Sequence, residues 1–504
     1  MNKAHTATEK REYHPTKARV PGSPVPDGKP SPDGKRSPGG RRRSPLMVLV
    51  VALLVLGCIA AGGFALNALG LLPWIGDNPP IEDAPPPNEV LPIPDDHEAQ
   101  PEGPGPGDGP EGTPTGEPEL PEGMYRAIPL PEEMRAMWIS FQELSPLDFS
   151  SEASLRGEIG ALFEDCKNLG LNTVIVMVRP YSDALYPSAI FPFSHIMNGY
   201  QGYDPGFDPL AAMIDEAHAR GLRFKAWIIP YKIRDSWSGP AYFSSDHPAI
   251  LHPDWTIEVN GALWYNPGLP EVRKLVCDGV AEIVQNYAVD GIHFDDYFYP
   301  SSDEGPNSFD AYSFALYGGG MPLAQWRREN NDNLVRSVYE CVKAANPTVS
   351  FGISPSGDNW ENYYELYADV EHWMAQAGFV DYLMPQLYWG FAYRTYGGSS
   401  FYAFGNLVDT WALYPCDPSV RLYAGLGAYR IGLLQWDGSR YGFGDYGNND
   451  QSEWSSGHNL ADMVLALREQ EAFSGFSLFR HAYLFQGSDW VSESECSALR
   501  ELLQ

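Results

Sequence analysis

The chain has 504 residues, of which 43% are hydrophobic and 13% aromatic, a composition typical of a globular protein. Its net charge of −31 argues against nucleic acid as a partner, because phosphate binding needs a basic surface. The six cysteines form no CxxC pair and the histidines show no HExxH-like spacing, so the sequence predicts no metal site and no cofactor.

The first 72 residues predict an exported, membrane-bound protein. Residues 1–45 hold eleven Lys and Arg against four Asp and Glu without hydrophobic periodicity, which predicts a disordered cytoplasmic tail. Residues 46–72 carry no charge and exceed the roughly 20 residues that span a bilayer. The arginines before them place the N-terminal side in the cytoplasm. We favour an uncleaved single-pass signal anchor; a cleaved signal peptide and a lipoprotein signal with lipidated Cys58 remain alternatives.

Residues 73–127 predict an acidic, proline-rich linker. Between residues 77 and 123 there are thirteen Asp and Glu, fourteen prolines, and no Lys or Arg. Such a segment cannot bury a core, and its charges repel one another. We expect a semi-rigid extracytoplasmic spacer that holds a folded domain away from the cell membrane.

Residues 128–504 predict one (β/α)8 barrel of the α/β class. Eight apolar runs lie at residues 135–140, 172–180, 223–231, 291–298, 349–355, 381–389, 421–429 and 475–484. Amphipathic stretches alternate with them, at residues 208–221, 269–287 and 324–346 among others. Eight strands alternating with helices, without a Gly-rich phosphate turn, favour a TIM barrel over a doubly wound open sheet.

The stretch DGIHFDDYFYP places two adjacent carboxylates, Asp295 and Asp296, near the end of the fourth run. Because side chains alternate along a strand, His293, Asp295 and Tyr297 share one face, and Asp296 reaches the barrel mouth only where the strand ends or bulges. Crowding among aromatic rings would push the two pKa values apart and keep one proton at neutral pH. The pair is therefore a candidate for glycoside hydrolysis; alternatively, it binds backbone amides where the loop begins.

Polar and aromatic residues follow the other runs as well, where the active site of such a barrel lies. Rings stack on the C–H faces of sugars, and polar groups bind their hydroxyls, so this set predicts a polysaccharide site. The candidate substrate-binding residues are Trp138, Arg179, Tyr181, Trp227, Tyr231, His293, Tyr297, Ser354, Gln386, Tyr388, Trp389 and Tyr429. Glu143, Asp358 and Glu361 are candidates for a further carboxylate facing the aspartates.

The chain resembles the glycosyl hydrolase-like 10 family of exported or lipid-anchored bacterial proteins. The resemblance rests, in order, on RAMWIS, LNTVIVMVRP, DGIHFDDYFYP, RRENNDNLV, FGISPSG, and LYADVEHWM followed by DYLMPQLYW. It implies a TIM-barrel glycoside hydrolase, and one branch, the divisome-localized glycosyl hydrolases, acts on peptidoglycan strands stripped of stem peptides. It also maps Asp295 and Asp296 onto the family's own DD motif. The chain departs from the pattern at Ile229-Pro230, where Asn-Pro is usual, and at Ser356, where Phe is frequent.

The same stretch is similar to the chitinase motif DGxDxDxE. Asp290, Gly291 and Asp295 match it, whereas His293 and Tyr297 replace an Asp and the acidic Glu. By this resemblance Asp295 orients an N-acetyl group and Asp296 is the general acid, as with the paired aspartates of the family 84 N-acetylglucosaminidases. Such a substrate-assisted mechanism needs no enzyme nucleophile.

Two functional hypotheses follow from the sequence. The first is a membrane-anchored extracytoplasmic glycoside hydrolase that cleaves an N-acetylated, peptidoglycan-like glycan of the cell wall. The alternative is a glycan-binding envelope scaffold without catalysis, which needs the aromatic residues but no titrating acid. An enzyme acting on an extracellular polysaccharide outside the wall is a third possibility.

Overall fold

Eight parallel strands close into a barrel in the computed structural model of the chain, which describes residues 120–504 apart from 237, 301–307, 396, 433–449 and 488–489. The strands, in chain order, are β1 Met134–Ile139, β2 Thr173–Arg179, β3 Arg223–Ile228, β4 Lys232–Arg234, β5 Thr256–Val259, β6 Ala262–Tyr265, β7 Gly291–Phe294, β8 Ser350–Ile353, β9 Tyr382–Leu383, β10 Arg421–Leu426 and β11 Phe473–Leu478. The barrel order is β1-β11-β10-β9-β8-β7-β3-β2, and β4, β5 and β6 form a separate antiparallel sheet.

Helices follow the barrel strands and cover the outside of the barrel. In the described residues they are α1 Phe141–Leu144, α2 Glu152–Leu169, α3 Pro209–Ala219, α4 Pro248–Leu251, α5 Pro270–Asn286, α6 Ala311–Tyr317, α7 Leu323–Ala345, α8 Asn359–Tyr364, α9 Val370–Ala375, α10 Phe404–Leu413, α11 Gln451–Trp454, α12 Asn459–Arg468, α13 His481–Phe485 and α14 Trp490–Leu503. The predicted start of α3 is confirmed: the Asp208 side chain accepts a hydrogen bond from the Ala211 N–H, and Pro209 occupies the first turn.

The predicted (β/α)8 barrel is confirmed, and the doubly wound alternative is wrong because β1 pairs with both β2 and β11. Each of the eight apolar runs overlaps a barrel strand. Most strands end before their run does, most clearly β7, which stops at Phe294, and β9, which stops at Leu383. The apolar and aromatic residues beyond these ends leave the sheet and form the rim of the barrel.

The core has two layers that follow from alternation along the strands. In β1, Ala136 and Trp138 point into the barrel, and Met137 and Ile139 pack against the helices. The interior layer also holds Tyr382, whose ring lies against Gly352 so closely that a Cβ at that glycine would collide with it. Glycine in β8 therefore makes room for an aromatic ring in the middle of the barrel.

Residues 120–133, which we call the N-terminal segment, cross the barrel at the beginnings of its strands. Asp290, directly before β7, accepts hydrogen bonds from the Tyr125 hydroxyl (2.7 Å) and the Ile128 N–H (2.7 Å). Arg223 at the start of β3 donates to the Pro129 carbonyl (2.8 Å), and Arg421 at the start of β10 donates to Pro131 (3.1 Å). The segment therefore lies on the N-terminal face of the barrel, opposite the ends where Asp295 and Asp296 stand.

The predicted tail (1–45), the predicted anchor (46–72) and the linker (73–127) up to residue 119 lie outside the described residues. None of the described helices is long and apolar enough to cross a membrane. The last part of the predicted linker is described, and Tyr125 and Ala127 contact the barrel there.

Candidate active site

The early end of β7 delivers both aspartates to the mouth of the barrel. His293 points into the barrel, and Phe294, the last residue of β7, packs outward against the helices. Beyond Phe294 the chain turns, and Asp295 is buried, Asp296 half-buried and Tyr297 exposed. A regular strand would have pointed the two carboxylates to opposite faces, so the turn is what brings them to one site.

Asp295 is fixed by the neighbouring strand. The indole Nε1 of Trp227, near the end of β3, donates to its Oδ2 at 3.0 Å, and the Tyr297 N–H approaches Oδ1 at 3.4 Å. Burial and the charge of Asp296 raise the pKa of Asp295, and the Trp227 hydrogen bond and the Lys232 charge oppose the rise only in part.

Asp296 has a different set of neighbours. Burial and the charge of Glu361 raise its pKa, whereas the Lys232 charge and a hydrogen bond from the Gln386 amide lower it. Because the two carboxylates interact, they titrate as a coupled pair, and the pair keeps a proton to higher pH than free aspartates do.

A neutral histidine lies under the site. Trp138 Nε1 is 3.2 Å from His293 Nε2, and the Tyr382 hydroxyl is 3.0 Å from His293 Nδ1. An indole N–H can only donate, so Nε2 is the acceptor and Nδ1 carries the proton. Burial and the Lys225 charge lower the pKa of His293 well below its ordinary value. Trp138 and His293 are thus buried supports under the aspartates.

One wall of the mouth is built from the residues after β9 and β10. The Gln386 amide donates to the Ser354 carbonyl (3.0 Å), so buried Ser354 holds Gln386 through its backbone. The Tyr388 ring meets the Tyr429 ring edge-on, with centroids 5.6 Å apart, and its pKa is raised by burial, by Tyr429 and by the charge of Asp296. Further out, the Trp389 ring stacks on the Tyr402 ring.

The opposite wall comes from the small sheet inserted after β3. Lys232 of β4 places Nζ 3.4 Å from the centre of the Tyr297 ring and 3.0 Å from Asp235 Oδ1. Tyr181 lies beside this group, with its hydroxyl 2.7 Å from Ser238 Oγ. Lys232 directly follows the third apolar run, residues 223–231, and is therefore among the polar residues that the sequence predicts at the barrel mouth, although the sequence gives it no specific role.

Two predicted substrate-binding residues lie elsewhere. Arg179 is buried with its guanidinium 4.5 Å from the Phe191 ring and next to Gly279 of α5, between strands and helices. A register shift between β2 and β3 at this point breaks the alternation that would have turned Arg179 inward. Tyr231 is fully buried in the same outer layer, near Cys277 of α5. The prediction that these two contact substrate therefore needs correction, and we leave them out of the proposed site.

The three candidate carboxylates have separate roles. Glu143 forms a capping box with Ser140 and an ion pair with Arg480, which fully engages it in the fold. Asp358 caps α8 and accepts from the Tyr402 hydroxyl at 2.6 Å. Of the three, only Glu361 acts on Asp296, because its charge raises the pKa of Asp296. Glu361 also accepts a hydrogen bond from Ser356 Oγ at 2.6 Å.

Among the described residues there is no group of three or more His, Cys, Asp or Glu placed to hold a metal ion. What the arrangement offers instead is proton transfer: two interacting carboxylates, one lysine and one glutamate, between aromatic walls. Such a set suits acid/base chemistry on a sugar.

Comparison with known proteins gives consistent matches. The family model described as Glycosyl hydrolase-like 10 matches residues 133–439, more than half of the chain. Glycosyl hydrolase YngK of Bacillus subtilis (strain 168) is 36% identical over 365 residues, which cover 68% of this chain and 67% of YngK. Glycosyl hydrolase DigH of Escherichia coli (strain K12) is 37% identical over 290 residues, 53% of this chain, and the match spans 64% of DigH.

Among solved structures, the PgaB (BpsB) glycoside hydrolase domain from Bordetella bronchiseptica aligns with a TM-score of 0.45 at 10% identity, covering 74% of this chain and 99% of that chain. The matched residues 133–439 include all the barrel strands from β1 to β10. The chain belongs to the Glycosyl hydrolase-like 10 family.

Proposed function

We propose that the protein hydrolyses glycosidic bonds in an N-acetylated, peptidoglycan-like glycan of the cell wall. The observation that carries the proposal is the pair Asp295 and Asp296, whose pKa values are raised by burial at the mouth of a barrel with aromatic walls. A fold gains nothing in stability from two such carboxylates, so their placement favours a catalytic role over a structural one.

Asp296 is the general acid in this proposal. It is half-buried and so can reach a leaving-group oxygen, whereas Asp295 is buried and held by Trp227. Burial and the charge of Glu361 raise the pKa of Asp296 to about 6, which favours the protonated form that a general acid needs. Gln386 holds Asp296 through its amide, which limits the orientations of the carboxyl group.

Asp295 is the orienting base. Burial and the charge of Asp296 raise its pKa to about 8, and the Trp227 N–H opposes the rise by stabilising the ionised form, which can accept the N–H of a substrate acetamido group. The acetamido oxygen then attacks the anomeric carbon while Asp296 gives its proton to the leaving oxygen. In the second step Asp296 takes a proton from water, whose oxygen adds to the anomeric carbon and restores the acetamido group.

The walls supply binding rather than chemistry. Tyr297 on one side, and Tyr388, Trp389 and Tyr429 on the other, offer rings for sugar faces. We further propose that residues 46–72 anchor the protein in the cell membrane with the barrel outside. Their uncharged sequence and the acidic linker support this location.

The test uses purified full-length protein and its Asp296→Asn and Asp295→Asn variants, with Asp254→Asn, an exposed carboxylate, as matched control. Each is incubated with peptide-free peptidoglycan glycan strands, and released fragments are followed by mass spectrometry. Release by the native protein and by Asp254→Asn, lost in both site variants while binding persists, supports the enzyme. Binding without release by any of the four supports the glycan-binding scaffold, and no binding at all removes this glycan from consideration.

A further inference from the structure

We propose that Trp360 and Tyr364 on α8 form a distal binding site for the same glycan, so that the protein takes a polymer and binds it several sugars beyond the aspartates. This inference rests on the proposed function and adds the substrate class: an extended polymer of N-acetylhexosamine units. The two rings play no part in the catalytic steps described above.

The two rings form an exposed platform. Trp360 is 59% and Tyr364 45% exposed, and their centroids lie 5.4 Å apart with an interplanar angle of 34°. By contrast, the exposed rings of Tyr242, Tyr312 and Trp490 stack on no other ring in the part of the chain that the structure describes. Two adjacent rings kept in water at a cost in apolar exposure match the faces of consecutive sugars.

The platform is continuous with the active site. Glu361, next to Trp360 on the same short helix, acts on Asp296 and accepts a hydrogen bond from Ser356. Asn362 ties the helix to Ser356 through two backbone contacts, 3.0 Å to its N–H and 2.9 Å to its carbonyl. The inner face of α8 therefore belongs to the wall of the site while its outer residues reach solvent.

A second aromatic pair, Trp389 and Tyr402, connects the wall near Gln386 with the residue that caps α8. Trp389 follows the Gln386 wall and stacks on Tyr402, with centroids 5.3 Å apart at 26°. The Tyr402 hydroxyl donates to Asp358, the residue that caps α8. Rings are thus arranged from the site towards α8, as a long sugar chain would need.

The charges around the platform select its ligand. Asp358, Glu361 and Glu365 flank the rings on α8 and its cap. Acidic neighbours repel anionic groups and favour stacking on the uncharged N-acetylglucosamine units of the polymer. The partner with this chemistry is an N-acetylated glycan in which some units are uncharged, rather than a nucleic acid or a polysaccharide with an acid group on every unit.

The experiment measures binding by full-length protein carrying Asp296→Asn, so that the probe is not cleaved. The probes are N-acetylglucosamine oligosaccharides of two and of six units, and Kd is measured by isothermal titration calorimetry. The combined variant Trp360→Ala, Tyr364→Ala is compared with Trp490→Ala, an equally exposed tryptophan on α14. Thermal unfolding verifies that all three fold alike, as expected for exposed side chains.

We expect the double variant to bind the hexamer about ten-fold more weakly, because each stacked ring contributes to affinity, and to bind the dimer unchanged. Trp490→Ala should bind both as the parent does. Equal hexamer binding in parent and double variant overturns the platform while leaving the proposed function intact. Binding of neither oligomer by the parent, with no release from glycan strands by the native protein, removes both.

Discussion

The indole N–H of Trp227 donates to Oδ2 of Asp295 at 3.0 Å, and the barrel holds both side chains away from water. The indole thereby favours the ionised carboxylate against burial and against the charge of Asp296, both of which favour the protonated form. The balance between these opposing effects sets the pH above which Asp295 is ionised and can act as a base.

Replacing Trp227 with Phe should lower kcat about ten-fold or more with a smaller effect on KM, because the ionised form of Asp295 loses its donor. The acidic limb of the pH profile should move to higher pH, since the pKa of Asp295 rises further. Trp373→Phe is the matched control: its indole also donates, at 2.6 Å, to a half-buried carboxylate, that of Asp332 on α7. A profile that moves equally in both variants would contradict the assignment.

Asp295→Asn should raise the stability of the protein at neutral pH while abolishing activity. The pKa of Asp295 is higher in the native state than in the unfolded chain. The free energy of unfolding therefore falls as the pH rises from the unfolded pKa towards the native one. Removing the ionisable group should recover about 1–2 kcal/mol at pH 7 and little near pH 4. Denaturant unfolding at both pH values measures it, and no gain at pH 7 would count against a raised pKa.

Lys232→Met should move the whole pH profile of kcat/KM to higher pH. The lysine charge lowers the pKa of both aspartates, and methionine keeps the length of the side chain without the charge. Lys274→Met on α5, which removes an exposed ion pair with Asp278, is the control and should leave the profile in place. A change in rate without a change in pH dependence would limit Lys232 to binding.

Asp290→Asn should cost about 2–4 kcal/mol of stability without changing the chemistry of the site. His218 Nε2 (2.9 Å) and the Phe224 N–H (2.8 Å) contact the carboxylate along with the N-terminal segment. Burial raises the pKa of Asp290, but these donors outweigh it and the pKa is lowered. Its contribution is therefore present above the unfolded pKa and lost as pH falls through the folded one.

Unfolding of the native protein and of Asp290→Asn at neutral and acidic pH checks this. The difference in stability should shrink as the pH falls, and Tyr125→Phe should lose about 1 kcal/mol, whereas the exposed Tyr200→Phe should lose nothing. An equal difference at every pH would mean that Asp290 is not ionised in the native state.

The barrel could be predicted from the sequence because each strand is an apolar run bounded by helix signals, and the DD pair because it ends one of these runs. The placement of Arg179 could not, since one shift of register between β2 and β3 reverses which way a side chain points. The contact between Lys232 and Tyr297 could not be predicted for a related reason: Lys232 belongs to an inserted sheet, and the contact joins residues far apart in sequence. Alternation along a strand predicts the face on which each side chain lies, but not which loops come together at the end of the barrel.

Both ends of the described chain lie on the face of the barrel away from its mouth. The N-terminal segment is bound there through Asp290, and Arg135, near the start of β1, donates to the carbonyl of Leu503 at 2.8 Å. The consequence is practical as well as mechanical. If either end is attached to a surface, a resin or a fusion partner, the aspartates face away from the point of attachment. The attached protein can therefore bind an insoluble polymer.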